Sequence, residues 1–149
     1  PRVLATRKTH PGLRDLALLA VQVGGGAVHR RDLASGVLVK DNHLKILGGI
    51  DRIPSEAMRG GMLEVSSLEE ARQASRLPLR GLLLDNFAPE RLRETLDWIA
   101  RHQSSWEVEV SGNIVLENVR AYVLPGVGRI SLGELTHTVR IFDFSFKAV

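Results

Sequence analysis

The sequence predicts an α/β protein whose parallel sheet curls into an incomplete or open α/β barrel of about seven mostly parallel strands. Short apolar runs recur along the chain with helical stretches between most of them. Some runs are unbroken, as in Gly81-Leu82-Leu83-Leu84, the pattern of a strand covered on both faces. Six predicted strand ends each deliver a polar group, a charge or a glycine: Arg7, Lys40, Glu64, Asp85, Ser111 and Gly133. In barrels of alternating strands and helices the C-terminal strand ends form one rim, and the chemistry gathers there. Full eightfold closure is not predicted.

The elements follow in order. Residues 3–6 read as the first strand, Thr9-His10-Pro11-Gly12 as a turn and residues 13–23 as a largely apolar helix. Gly24-Gly25-Gly26 stop that helix, a second buried strand covers 36–39, and Lys40-Asp41-Asn42-His43 follow it as a polar rim. Residues 51–60 are weakly helical and interrupted by Pro54, ahead of a strand at 62–65. Ser66 or Ser67 caps a helix over 67–76, with Glu69 and Glu70 in the first turn, where the helix dipole favours negative charge. The strand at 81–84 ends in Asp85-Asn86. Pro89 then opens an amphipathic helix with Leu92, Leu96 and Ile99 on one face. A strand over 106–110 closes at Ser111-Gly112-Asn113, a helix covers 116–123, and a strand over 128–131 closes at Leu132-Gly133. The period-two alternation of 141–146 predicts a last strand with one wetter face, sealing the sheet.

At 149 residues and 44% hydrophobic content the chain supports one core, a single domain over 1–149. Net charge is +3 and the cations are dispersed, with Arg7-Lys8 and His29-Arg30-Arg31 the tight groups. This spread excludes the dense basic stripe of a nucleic-acid binder and favours small phosphorylated or carboxylated ligands. Cysteine is absent, so no disulfide or thiolate metal site holds the fold, and a cytoplasmic location is the default expectation. No run of about eighteen apolar residues and no signal-peptide pattern occurs, so no membrane partner is expected. The chain lacks an initial Met and enters a strand at once, which predicts that an N-terminal portion is missing or processed.

Several residues at the predicted rim carry chemistry. Alternation along an extended backbone sends one of Arg7 and Lys8 inward and the other outward. The glycine triplet followed by His29-Arg30 brings an imidazole and a guanidinium together, a natural anion site, although exposed charges behind a helix stop have the same local sequence. The G-x-G-x-x-G dinucleotide spacing is absent. Lys40 at a strand end needs a counter-charge: Glu64, Asp85 or a substrate anion. Glu64 and Asp85 lie 21 residues apart, one strand-helix unit, and so project from neighbouring strands. Such a pair holds a hydrated Mg²⁺, stabilises a developing positive charge, or simply pairs with nearby cations. Ser111-Gly112-Asn113 and Ser131-Leu132-Gly133 end successive strands, where backbone N–H groups suit a phosphate.

The stretches Thr6-Arg7-Lys8-Thr9-His10-Pro11-Gly12-Leu13-Arg14, Gly24-Gly25-Gly26-Ala27-Val28-His29-Arg30, Val39-Lys40-Asp41-Asn42-His43, Leu84-Asp85-Asn86-Phe87 and Ser131-Leu132-Gly133-Glu134-Leu135-Thr136 together closely resemble quinolinate phosphoribosyltransferase, also called nicotinate-nucleotide pyrophosphorylase. The motifs stand in the family's order from Thr6 to about Phe146. The resemblance implies the family's catalytic barrel, with its N-terminal α/β sandwich domain missing. It implies that quinolinate and phosphoribosyl pyrophosphate give nicotinate mononucleotide, pyrophosphate and carbon dioxide, with Mg²⁺, in de novo NAD synthesis. Carried over by motif, Arg7, His29 and Arg30 hold the two carboxylates of quinolinate, and Lys8 and Lys40 line the pocket. Glu64 and Asp85 face the ribose and its metal-bound pyrophosphate, reaching the metal directly or through water. Ser111, Gly112, Asn113 and Gly133, with Ser131, cradle the 5′-phosphate.

The segment between Gly49 and Glu64 is shorter than is usual in the family, and the family's acidic pair appears here as Met62 and Glu64, keeping only the second acid. Family dimers place an arginine from the partner's N-terminal domain in the pocket. A homodimer or larger homo-oligomer is therefore implied, with poor turnover by residues 1–149 alone. Two other readings share the same residues: a molybdenum-associated paralogue acting on a different ring acid, and a non-catalytic anion-binding module.

Overall fold

In the computed structural model, which describes residues 1–28, 30, 34–138 and 142–148, seven strands form one sheet. They are β1 (Arg2–Ala5), β2 (Ala27–Val28), β3 (Leu38–Val39), β4 (Met62–Val65), β5 (Gly81–Asp85), β6 (Glu107–Ser111) and β7 (Arg129–Leu132). The helices are α1 (Arg14–Val23), α2 (Asp41–Leu47), α3 (Leu68–Ala74), α4 (Pro89–His102) and α5 (Glu134–His137). Every recorded strand pair is parallel, and the spatial order is β2-β1-β7-β6-β5-β4-β3. From β3 to β7 the order follows the chain, and β1 then pairs with β7. That is a barrel walk broken at one seam: among the described residues no pairing joins β2 to β3.

Strand alternation divides the side chains between two sides. Leu63, Val65, Leu82, Leu84, Val108, Val110, Ile130 and Leu132 face the helices and form the main core with Ala71, Ala74, Leu92, Leu96 and Ile99. The opposite positions face the barrel interior, where Leu38, Met62 and Leu83 make a small separate apolar layer. Above and beneath that layer the interior is polar, which leaves the strand ends free to carry charge. α4 starts with Pro89 at its first turn, where a missing N–H costs nothing, and buries Leu92, Leu96 and Ile99. Ser67 caps α3, its Oγ accepting the Glu70 N–H at 3.2 Å, while a Glu70 oxygen accepts the Ser66 N–H at 2.6 Å.

Four expectations are corrected. Residues 142–148 carry no strand, and Phe142, Phe144 and Phe146 are 75%, 87% and 97% exposed. Period-two alternation reports two unlike faces and supplies no partner, so the seventh strand is β2 instead; Ile141 lies outside the described residues. The helix expected over 116–123 is only a 3₁₀ turn, Val119–Tyr122. There the Asn118 amide accepts from the Val115 N–H at 2.9 Å and donates to the Asn113 carbonyl at 3.0 Å, satisfying backbone groups that a helix would otherwise use. The polar stretch after Lys40 is itself a helix, α2, with a Lys45–Asp41 ion pair one turn apart at 3.2 Å. Finally, β1 stops at Ala5, so strict alternation does not govern Arg7 and Lys8.

Among the described residues no helix is long and apolar enough to cross a membrane. Gly81 stands where β5 and β6 run closest: a Cβ there would lie 2.0 Å from the Glu107 carbonyl oxygen. Gly81→Ala is accordingly expected to cost ~1–3 kcal/mol through overpacking. Leu92→Ala, in the core, should cost ~2–5 kcal/mol, and Leu16→Ala on the exposed face of α1 less than about 0.5 kcal/mol. Urea denaturation of the three variants checks this order.

Candidate active site

The parallel sheet delivers its C-terminal strand ends to one mouth. β3 and β4 run in register, Val39 beside Leu63, so the next residues, Lys40 and Glu64, stand side by side, and the Lys40 ammonium pairs with a Glu64 carboxylate oxygen. Glu64 is mostly buried and Lys40 is half exposed, so the pair holds a charge at the rim without closing it off. Asp85 ends β5 directly opposite Ser111, which ends β6. Its carboxylate accepts a hydrogen bond from Asn86 Nδ2 at 2.6 Å.

A cleft of about 480 Å³ opens at this mouth, and Arg7, Lys8, Arg30, Lys40, Glu64, Asp85, Ser111 and Ser131 all line it. An adjoining cleft of about 470 Å³ shares Lys8, Asp85, Ser111 and Ser131 and adds Gly112, Asn113, Gly133 and His137. Both Arg7 and Lys8 face the cavity, because the chain after Ala5 turns: Thr6 Oγ1 accepts the Lys8 N–H at 3.2 Å, and Arg14 Nη2 donates to the Arg7 carbonyl at 3.2 Å. His29 lies outside the described residues. Gly112 needs its lack of a side chain here, whereas Gly133 has an ordinary φ of −65° and faces only the His137 side chain. Gly112 has φ of +94°, and a Cβ there would overlap the Asn86 side chain and its backbone nitrogen.

Charge in the cleft is divided. Burial and the neighbouring Arg7 both push the Arg30 pKa down, while Glu109 works against that shift. Burial first, and then the Glu64 charge, raise the Asp85 pKa above the ordinary aspartate value; Lys40, the Asn86 amide and Lys8 oppose the rise. Each group is thus buried near a like charge, Arg30 near Arg7 and Asp85 near Glu64. A ligand with two anionic groups around a cationic or electron-poor centre complements both.

Sequence reasoning passed over Glu109 and His137. Glu109 is 1% exposed, lines the cleft and accepts from Ser131 Oγ at 2.6 Å. Its signal is present in Glu107-Val108-Glu109-Val110-Ser111, where period two puts both acids and Ser111 on the interior face. His137 has no such signal, because it reaches the cleft from α5, a helix of four residues. At the opposite mouth a smaller cavity of about 230 Å³ is lined by Arg2, Arg80 and Arg129, and Arg30 borders it as well as the upper cleft. Glu107 pairs with Arg129 and Arg80 there, an arrangement that ties strand starts together.

The family profile described as "Quinolinate phosphoribosyl transferase, C-terminal domain" matches residues 1–147. The human protein named nicotinate-nucleotide pyrophosphorylase [carboxylating] is 40% identical over 97% of this chain and 51% of its own length. An Archaeoglobus fulgidus protein with the name "probable nicotinate-nucleotide pyrophosphorylase [carboxylating]" is 34% identical over 99% of this chain and 59% of its own. The crystal structure of NadC from Streptococcus pyogenes superposes with a TM-score of 0.83 at 33% identity, over 99% of this chain and 53% of that one. The chain spans about half the length of the curated human relative it matches.

The raised Asp85 pKa carries a stability consequence. An acid whose folded-state pKa lies above its unfolded value is at no disadvantage at low pH and costs stability once pH rises through the folded pKa. Asp85→Asn should therefore stabilise the ligand-free protein at pH 7, by less than about 1 kcal/mol given solvent screening of a half-exposed group. The gain should vanish below the ordinary aspartate pKa of about 3.9. Urea denaturation at the two pH values measures it.

Proposed function

The chain belongs to the quinolinate phosphoribosyl transferase family, as its C-terminal domain, and from that membership we propose that its cleft transfers the phosphoribosyl group of phosphoribosyl pyrophosphate to quinolinate. Carbon dioxide and pyrophosphate leave, and nicotinate mononucleotide is formed. The observation that carries the reading is the meeting of two arginines and two lysines with four carboxylates, Glu64, Asp85, Asp41 and Glu109, on one cleft of about 480 Å³. A pocket for a ring dicarboxylate alone would need no acids, and a pocket for ribose phosphate alone would not need the arginine pair.

In this reading Arg7 and Arg30 engage the two carboxylates of quinolinate, the guanidinium fork suiting bidentate pairing. Lys8 and Lys40 complete the cationic wall. The ring nitrogen attacks the anomeric carbon while the bond from that carbon to the pyrophosphate oxygen breaks. Positive charge grows on the ribose, and Glu64 and Asp85 face it. Lys40, paired to Glu64, holds that carboxylate in place. Ser111, Gly112, Asn113, Ser131 and Gly133 receive the 5′-phosphate in the adjoining cleft, which they line, glycine letting the backbone approach the phosphate closely. Once the ring nitrogen is ribosylated and positive, the carboxylate beside it departs as carbon dioxide. Its electron pair stays on the ring, drawn toward that nitrogen, and a proton from water replaces it.

The residues present fit a magnesium ion that travels with the pyrophosphate. Among the described residues no group of three or more metal ligands is assembled, but Mg²⁺ keeps several waters and takes one or two carboxylates beside substrate phosphates. Glu64 and Asp85 would hold it, and a cation there would offset both the burial and the Glu64 charge that raise Asp85. When bound, the ion offsets charge on the leaving pyrophosphate. The same reading carries a homodimer and a cytoplasmic setting, which sedimentation and fractionation of the native protein test.

Steady-state assay of the native protein with quinolinate, phosphoribosyl pyrophosphate and Mg²⁺ should yield nicotinate mononucleotide. Glu64→Gln should lower kcat about 10²-fold with little change in KM for quinolinate. Arg30→Ala should raise that KM about 10–100-fold, the cost of a charge-assisted pair. No product from the native protein, or an unchanged KM in Arg30→Ala, contradicts the proposal.

A further inference from the structure

Asp85 and Ser111 end neighbouring strands, and the residues that follow them are locked together. A carboxylate only accepts hydrogen bonds, so the Asn86 amide turns its NH₂ toward Asp85, Nδ2 to Oδ2 at 2.6 Å, and leaves Oδ1 to accept from Asn113 Nδ2 at 3.0 Å. The Asn86 backbone N–H donates to the Ser111 carbonyl at 2.9 Å. Gly112 lies directly against this amide, with no room for a Cβ. Asn113 in turn has its carbonyl held by Asn118 Nδ2 at 3.0 Å.

Backbone conformation alone does not ask for asparagine here. Asn86 and Asn113 both have positive φ, 57° and 52°. Asparagine tolerates that region, but glycine occupies it more readily. The side chain at 86 therefore has another use. Its amide touches both the acid at the end of β5 and the turn at the end of β6. The charged groups facing Asp85 from the other elements are Glu64 on β4, Lys40 after β3 and Lys8 after β1. None of them reaches across to Asn113 by a recorded hydrogen bond.

We propose that Asn86 is a positioning residue that couples the two halves of the cleft, fixing the Asp85 carboxylate to the Gly112–Asn113 turn so that the ribose side and the 5′-phosphate side are set by one amide. This rests on the phosphoribosyl-transfer reading for its consequence in catalysis. The coupling itself is a property of the unliganded protein.

Asn86→Gly in the native protein keeps the backbone preference and deletes both side-chain bonds. The expected result is a fall in kcat of about 10–100-fold. Calorimetric affinity for ribose 5-phosphate should weaken about fivefold, with quinolinate affinity and melting temperature nearly unchanged. Asn86→Asp, which keeps the size but sets a second carboxylate against Asp85, should fall at least as far. Asn113→Gly, which likewise suits the positive φ and keeps the backbone N–H, should lose part of the same function, and Asn86→Gly/Asn113→Gly should be no worse than Asn86→Gly alone, because the two share one interaction. The inference is overturned if Asn86→Gly retains kcat and ribose 5-phosphate affinity within about twofold, less than one ordinary hydrogen bond contributes. It is overturned equally if quinolinate affinity falls in parallel, or if the two single losses add. A native protein that binds ribose 5-phosphate but makes no nucleotide refutes phosphoribosyl transfer instead, and the binding measurements on the variants still decide the coupling.

Discussion

The parallel pairing of β1 with β7, Arg2 beside Arg129 through Ala5 beside Leu132, brings residues from near both ends of the described chain into one curved wall. Without it the sheet would run from β3 to β7 and stop. Arg7 and Lys8 would then have no reason to meet Asp85 and Ser111. With it, the exits of β1, β3, β4, β5, β6 and β7 face a common mouth. Thr6 and Thr136 mark the join, their hydroxyl oxygens hydrogen-bonded at 3.2 Å across 130 positions of sequence. The fold therefore does its functional work through register. Each strand contributes one interior residue at its end, and the helix-facing positions are left to the core.

Division of labour between the two faces explains the composition of the interior. Apolar side chains between sheet and helices supply the stability. Inside the barrel Leu38, Met62 and Leu83 form a separate apolar cluster, Glu109 stands beside Leu83 in the sheet, and charge collects toward both mouths. At the lower mouth Glu107 pairs with both Arg129 and Arg80, one carboxylate between two guanidiniums. At the upper mouth the charges are left partly unbalanced: Arg30 is depressed by burial and Arg7, and Asp85 is raised by burial and Glu64. Burial beside like charge is costly in an empty site and is relieved by a ligand, which marks the upper mouth as a candidate binding site.

How much of this was legible in the sequence follows from what each signal reports. Lys40, Asp85 and Ser111 were legible because an apolar run that breaks into a charge or hydroxyl marks a strand exit, and in a parallel sheet exits share a side. Glu109 was written in the alternation of Glu107-Val108-Glu109-Val110 but hidden by the habit of reading charge as surface; burial at 1% exposure depends on the barrel, not on the strand. His137 and the Asn86–Asn113 contact depend on tertiary proximity that local sequence does not encode. The tail at 142–148 shows the converse failure, a strand pattern that the described sheet gives no partner. Family motifs added the chemistry that periodicity could not, since spacing alone leaves Glu64 and Asp85 equally suited to a metal, a carbocation or a salt bridge.

The central claim is that a doubly anionic ring acid sits at the C-terminal mouth among cations delivered by separate strands. A crystal structure of the native protein with quinolinate bound tests it most directly. The account predicts the ring beside Lys40 with its carboxylates on Arg7 and Arg30. Density for the ligand among Arg2, Arg80 and Arg129 at the other mouth, with the upper cleft vacant, would contradict it.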